Sequence, residues 1–209
     1  MRLWLFDIGG VVLHQPSGLR ELIAQAHGLS REELDAIYMT EDWHLHKTGR
    51  ISEDEYWRRT AQSLPSGFDG RVDELQREMG LAVVPDEEMI AFLRSGVRDG
   101  ARIMAVSNAG SELHRSLVRF GLEDLFEKVY SSYDAGLAKP DPALLELVLA
   151  EAGVRAGDAV LVDDKERNTL AAEAMGLVAH VYRSFEDFRL AARELGWPVS
   201  VRRRQFSTP

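Results

Sequence analysis

Four short apolar runs stand out along the chain, at Leu3–Phe6, 102–106, 159–162 and Val178–Val181, with a weaker one at 128–130. None alternates with polar residues, as a half-buried strand would, so each predicts a strand covered on both faces. Between these runs the apolar spacing becomes helical. Leu113, Leu117 and Phe120 recur at i, i+4 and i+7. Leu144, Leu145, Val148 and Leu149 follow Asp141-Pro142, which reads as an N-cap with proline in the first helical position. Gly121 and Gly153 stand where helices commonly end on glycine. Strands alternating with helices from about residue 85 onward predict a parallel α/β sheet.

Residues 16–84 follow a different pattern. Leu19, Leu22, Ile23 and Ala26 outline one amphipathic helix, and Val72, Leu75 and Met79 another. Ser30-Arg31-Glu32-Glu33 and Ser52-Glu53-Asp54-Glu55 are capping-box sequences, each followed by apolar residues at helical spacing. No strand pattern interrupts them. The expected architecture is therefore α/β: a three-layer, Rossmann-like parallel-sheet core formed by 1–15 and 85–209, with a small all-helical cap, 16–84, inserted after the first strand.

Composition narrows the function classes. Of 209 residues, 45 % are hydrophobic, enough for a substantial core. A formal net charge of −9 disfavours nucleic acid and anionic membrane surfaces as partners. The absence of cysteine excludes disulfides, thiolate metal sites and a cysteine nucleophile. Leu3–Phe6 is too short for a signal-peptide core, and no stretch approaches the ~20 apolar residues of a membrane span. A cytoplasmic location is expected, as a monomer or homodimer. The basic tail Val201-Arg202-Arg203-Arg204-Gln205 reads as a chain terminus, with phosphate steering as the alternative.

Ligands of open parallel sheets bind at the carboxyl ends of the strands. The polar residues there are Asp7 after the first run, Ser107 and Asn108 after the second, and Asp163 and Asp164 after the third; Lys139 precedes the helix capped by Asp141. Three carboxylates in one crevice repel one another unless a cation intervenes, and an all-oxygen donor set suits Mg²⁺. A serine hydroxyl, backbone N–H groups and a lysine can bind the remaining oxygens of a phosphate. A carboxylate aimed at that phosphate can attack it, with metal and lysine offsetting the charge on the transferred group. Any one of these residues has an ordinary reading as a cap, loop or solvated charge. Their succession at several strand ends is what points to phosphoryl chemistry.

These residues resemble the motifs of the haloacid dehalogenase superfamily. Phe6-Asp7-Ile8-Gly9-Gly10-Val11-Val12 is similar to its first motif, Val106-Ser107-Asn108 to its second, Lys139-Pro140 to its third and Val162-Asp163-Asp164-Lys165-Glu166-Arg167-Asn168 to its fourth. The cap segment, Gly49-Arg50-Ile51-Ser52-Glu53-Asp54-Glu55-Tyr56-Trp57, resembles the subgroup containing the phosphatase domain of soluble epoxide hydrolases and small sugar-phosphate phosphatases. The resemblance implies a Mg²⁺-dependent phosphatase of small phosphorylated metabolites, with Asp7 as nucleophile. It further implies metal ligation by Asp7, the Gly9 carbonyl, Asp164 and, directly or through water, Asp163. Ser107, the Asn108 amide and Lys139 would hold the phosphate.

The pattern breaks at Gly9, where phosphatases of the superfamily carry a second aspartate for proton transfer. Three readings follow from it. The chain is a phosphatase, slowed or served by another acid; or it performs dehalogenase- or phosphonatase-type chemistry, the latter wanting a cap lysine such as Lys47; or it is a metal- and phosphate-binding or regulatory module. His14 is the nearest sequence candidate to replace the missing acid. His44 and His46, in a lone His-x-His, read as surface or cap–core residues rather than metal ligands, and Trp43 and Trp57 as cap core, one of them a possible pocket wall.

Overall fold

A computed structural model describes residues 2–64 and 71–198. The basic tail at 201–205 lies outside the described residues. In chain order the elements begin with β1 (Leu3–Phe6), β2 (Leu13–His14), α1 (Leu19–Ala26), α2 (Arg31–Ala36), α3 (Glu41–Lys47), α4 (Glu53–Ser63) and α5 (Val72–Leu81). Next come β3 (Val84–Pro85), α6 (Glu87–Arg98), β4 (Arg102–Ser107), α7 (Glu112–Arg119), β5 (Val129–Ser131), α8 (Ser132–Ala135) and α9 (Pro142–Ala152). The last are β6 (Ala159–Asp163), α10 (Glu166–Ala174), β7 (Val178–Val181) and α11 (Phe185–Glu194).

Five strands form one parallel sheet in the order β5-β4-β1-β6-β7. This is the expected α/β class, and its strand order explains the sequence pattern. β1, β4 and β6 are central, so helices cover both of their faces and their apolar runs do not alternate. Trp4, Phe6, Ile103, Ala105, Val160 and Val162 pack to one side, against α6, α7 and α11. Leu3, Leu5, Met104, Val106 and Leu161 pack to the other, against α9 and α10. β7 is an edge strand and only half buried, unlike the fully covered strand its apolar run predicts. The weak run at 128–130 is a strand displaced by one residue, Val129–Ser131.

The chain leaves the sheet through β2 and returns through β3, and these two pair antiparallel, Leu13 with Pro85 and His14 with Val84. Between them, the described residues form α1 to α5 around a separate apolar cluster that includes Leu34, Tyr56, Trp57 and Leu75. Ser30 closes a full capping box on α2. Ser52 caps α4 in the same way, but the Glu55 carboxylate turns to Arg58 and Arg59. Leu22, placed by its spacing on the buried stripe of α1, is 63 % exposed; that helix buries Ile23 and Ala24 instead.

Candidate active site

Asp7 leaves the end of β1, the middle strand. Its N–H donates to the Val162 carbonyl at 2.9 Å, extending the strand pairing by one residue and fixing where its side chain emerges. The register pairs Phe6 with Ala105 and Val162, so Asp7 stands level with Val106 and Asp163. Asp7 Oδ1 accepts the Ile8 N–H at 2.7 Å, and the nearby Ser107 hydroxyl favours the ionised carboxylate.

Lys139 lies beneath this group, 2 % exposed. Its Nζ donates to the Val106 carbonyl and to Asp163 Oδ2, both at 2.6 Å, and lies 3.3 Å from Asp7 Oδ2. Asp163 is fully buried and also accepts the Lys165 N–H and both contacts of the Asn168 amide. Its oxygens are thus occupied in orienting Lys139. The Asn108 side chain donates to the Lys139 carbonyl and accepts its N–H, at 2.6 and 2.9 Å, clamping the lysine backbone. This use of the Asn108 side chain was not readable from spacing, because it joins loops 31 positions apart; Asn168 lies only five positions from Asp163, and its amide role shows only in how the turn between them folds.

Asp164 is more open, with Lys165 Nζ at 2.8 Å from its Oδ2. A Cβ at Gly10 would come within 2.6 Å of that same oxygen, and Gly10 has φ +82°, so glycine is required there twice over. Asp7, Asp163 and Asp164 each present an oxygen within 4.8 Å of the others, and this trio is the one such group among the described residues. The Asp7 carboxyl is raised to about 6: burial pushes it up most, Lys139 pulls it down, and the Asp163 and Asp164 charges push it up further. Burial alone would lower Lys139, but Asp7 and Asp163 hold it above the ordinary lysine value. Lys139 and Lys165 together still leave a negative excess among the three ionised carboxylates. A small divalent cation fits that excess and that oxygen donor set.

The cleft above Asp7 has a volume of about 1400 Å³ and runs between the sheet ends and α1 to α5. Tyr38, Met39, Trp43, Trp57 and Leu81 supply apolar wall on the helical side. The helical block is fastened to the core at several points. Ser132 Oγ donates to the Lys47 carbonyl at 2.6 Å, and Glu53 accepts from Ser111 and Arg115 at 2.8 and 2.7 Å. Burial would raise Glu53, but hydrogen bonds from Arg115, Ser111 and Gln76 hold it below the ordinary range. His46 is buried, stacked on Tyr56 and set against Gly110, whereas His44 is exposed.

His14 does not reach the cleft. Leu13 and Gln15 line it, and strand alternation turns His14 to the opposite side, where Nε2 meets Asp86 at 3.0 Å and the ring stacks on Tyr182. It does not stand where a replacement acid would have to act.

The model of the haloacid dehalogenase-like hydrolase family matches residues 1–176, a span that holds Asp7, Ser107, Asn108, Lys139, Asp163 and Asp164. The chain belongs to that family. This haloacid dehalogenase-like hydrolase is 27 % identical to the sesquiterpene phosphatase astK of Aspergillus oryzae, over 83 % of this chain and 86 % of that one. It is 25 % identical to a phosphoglycolate phosphatase of Pectobacterium atrosepticum, over 82 % and 75 %. Among solved structures, a family enzyme from Bacteroides thetaiotaomicron, in complex with magnesium and inorganic phosphate, shares the fold with TM-score 0.72 at 20 % identity, covering 91 % and 98 %. The chain is accordingly a phosphatase-type hydrolase. Among the described residues no helix is long and apolar enough to cross a membrane.

Proposed function

We propose that this protein is a Mg²⁺-dependent phosphoric monoester hydrolase of small phosphorylated metabolites, working through an aspartyl-phosphate on Asp7. One observation carries the reading: a buried carboxylate at the end of the middle strand, flanked by Lys139, Ser107 and two further carboxylates. Asp7, the Gly9 carbonyl and Asp164 would hold the ion, with Asp163 beside them. Bound there, Mg²⁺ would neutralise charge on the transferring phosphoryl group.

In the first half-reaction an Asp7 carboxylate oxygen attacks phosphorus and the ester P–O bond breaks. Lys139, Ser107 and the Asn108 amide hold the phosphoryl oxygens as charge shifts. The departing alkoxide takes its proton from water, since Gly9 offers no side chain. In the second half-reaction water attacks the phosphorus of the aspartyl-phosphate, releasing inorganic phosphate and restoring the carboxylate. Residues 16–84 serve as a cap that screens this chemistry from bulk water over the core of 1–15 and 85–209. Sugar phosphates, phosphoglycolate and terpenyl phosphates are the substrates to try first; the last two follow the named activities of the relatives.

Phosphate release from an aryl phosphate, with and without Mg²⁺, tests this for the wild type and Asp7→Asn. Magnesium-dependent turnover that disappears in Asp7→Asn is the expected result. Aryl phosphates should outpace simple alkyl phosphates, because missing acid catalysis, worth about 10²–10⁴ in rate, matters least for good leaving groups. Gly9 itself favours a second reading, a module that binds metal and phosphate without turnover. Stabilisation by Mg²⁺ and phosphate with no hydrolysis of any ester would select it.

A further inference from the structure

We propose that Lys47 and Arg167 form a second anion subsite, so that the preferred substrate carries a carboxylate or a second phosphate besides the ester phosphate at Asp7. The proposal rests on the phosphatase reading of the Asp7 site and adds the substrate class to it.

Lys47 ends α3 on the cap side, and Arg167 lies in the first turn of α10, just beyond Asp163 and Asp164. Both line the cleft that contains Asp7 and Ser107. Of the other basic side chains of that cleft, Arg20 has Asp35, Arg115 has Glu53 and Lys165 has Asp164, while Arg77 and Arg119 lie on it without a carboxylate partner among the described residues. Lys47 and Arg167 have no such partner among the described residues. Burial lowers the Lys47 pKa, and the Arg167 charge lowers it further, with no carboxylate acting in the opposite direction. An ammonium from α3 and a guanidinium from α10 thus share this cleft with no carboxylate partner among the described residues, an arrangement that an entering anion would relieve.

Their placement is built into the docking of the two layers. The Lys47 carbonyl is held by Ser132 Oγ, and two residues on, Gly49 approaches Tyr133 so closely that a Cβ would lie 2.4 Å from its carbonyl oxygen. Arg167 projects from a helix anchored by the buried Asn168 and Thr169. A guanidinium fork opposite an ammonium point charge suits a carboxylate or phosphate. The ester phosphate already has Ser107, Asn108 and Lys139, which leaves this pair for a second group.

The test uses the magnesium-loaded enzyme and matched substrate pairs: phosphoglycolate with ethyl phosphate, and propane-1,3-diol bisphosphate with propyl phosphate. In Lys47→Gln and Arg167→Gln the kcat/KM preference for the more anionic member of a pair should fall about tenfold, mostly through KM. Lys47→Arg should keep it. The pair that shows the preference tells carboxylate from phosphate. Equal losses on both members would assign the two residues to the ester phosphate and overturn the subsite; so would no loss at all. A borohydride-stable adduct of Lys47 with an aldehyde substrate would also overturn it, by making the lysine a nucleophile. If the wild type hydrolyses no ester, the phosphatase reading fails, and calorimetry of phosphonoacetate against ethylphosphonate decides the subsite. Weaker phosphonoacetate binding in both variants would sustain it; unchanged binding would overturn it.

Discussion

At position 9 a Cβ would meet no heavy atom within 4 Å, and the residue is exposed to the cleft. The space for an acidic side chain exists although the side chain does not. Gly9→Asp should therefore fold normally and raise kcat on alkyl phosphates by about 10² or more, with a much smaller gain on aryl phosphates; steady-state rates on both classes check this. The neighbouring glycine behaves oppositely, since Asp164 fills the space at Gly10. Asp7 makes a further prediction. Its folded pKa is raised from 3.8 to about 6, so its contribution to stability is fully present below 3.8 and is lost as pH rises through about 6. In a chelator at neutral pH, Asp7→Asn should melt several degrees above the wild type, at roughly 2–4 °C per kcal/mol for a chain of this size. The gap should close on acidification through about 6. Equal melting temperatures at neutral pH would contradict the negative excess at the site.

At the scale of elements, the turn from α3 to α4 joins cap to core. Gly49 takes φ +67° and touches the Tyr133 carbonyl, Lys47 is pinned by Ser132, and Glu53 reaches Ser111 and Arg115. Gly49→Ala places a methyl against a backbone oxygen in a left-handed conformation. A loss of at least about 1 kcal/mol is expected, seen as a lower melting temperature and a raised KM. A normal KM with lowered stability would mean that the turn supports the fold but not closure over the substrate. The capping sequences at Ser30 and Ser52 and the Asp141-Pro142 start were legible, because a cap needs only residues a few positions apart. The β2–β3 pair was not, since two-residue strands carry no periodicity and the whole helical block separates Leu13 from Pro85 in the chain. Helix α3 was hidden for a related reason: its buried His46 gains its surroundings from Tyr56, Tyr133 and Gly110.

For the whole molecule, a cation bound among the three carboxylates would tie metal to stability. Mg²⁺ at a hundredfold excess over its Kd should add about 2.7 kcal/mol, read as a rise in melting temperature. Asp164→Asn should remove most of that rise, because Asp163 is already committed to Lys139 and Asn168. A full rise in that variant would place the ion elsewhere.

Sequence alone determined the α/β class, the central strands and the set of residues at their ends. These follow from local facts: an uninterrupted apolar run is covered on both sides, and the polar residue that stops it lies at the sheet's edge. It also exposed the missing side chain at Gly9. Tertiary structure decided what those residues do to one another. Only the meeting of β1, β4 and β6 with the loop at 138–141 sets Lys139 beneath Asp7 and Asp163, and only strand alternation turns His14 away. Pairing of charges, such as Arg115 with Glu53, depends on distances between segments far apart in the chain, which no local pattern encodes.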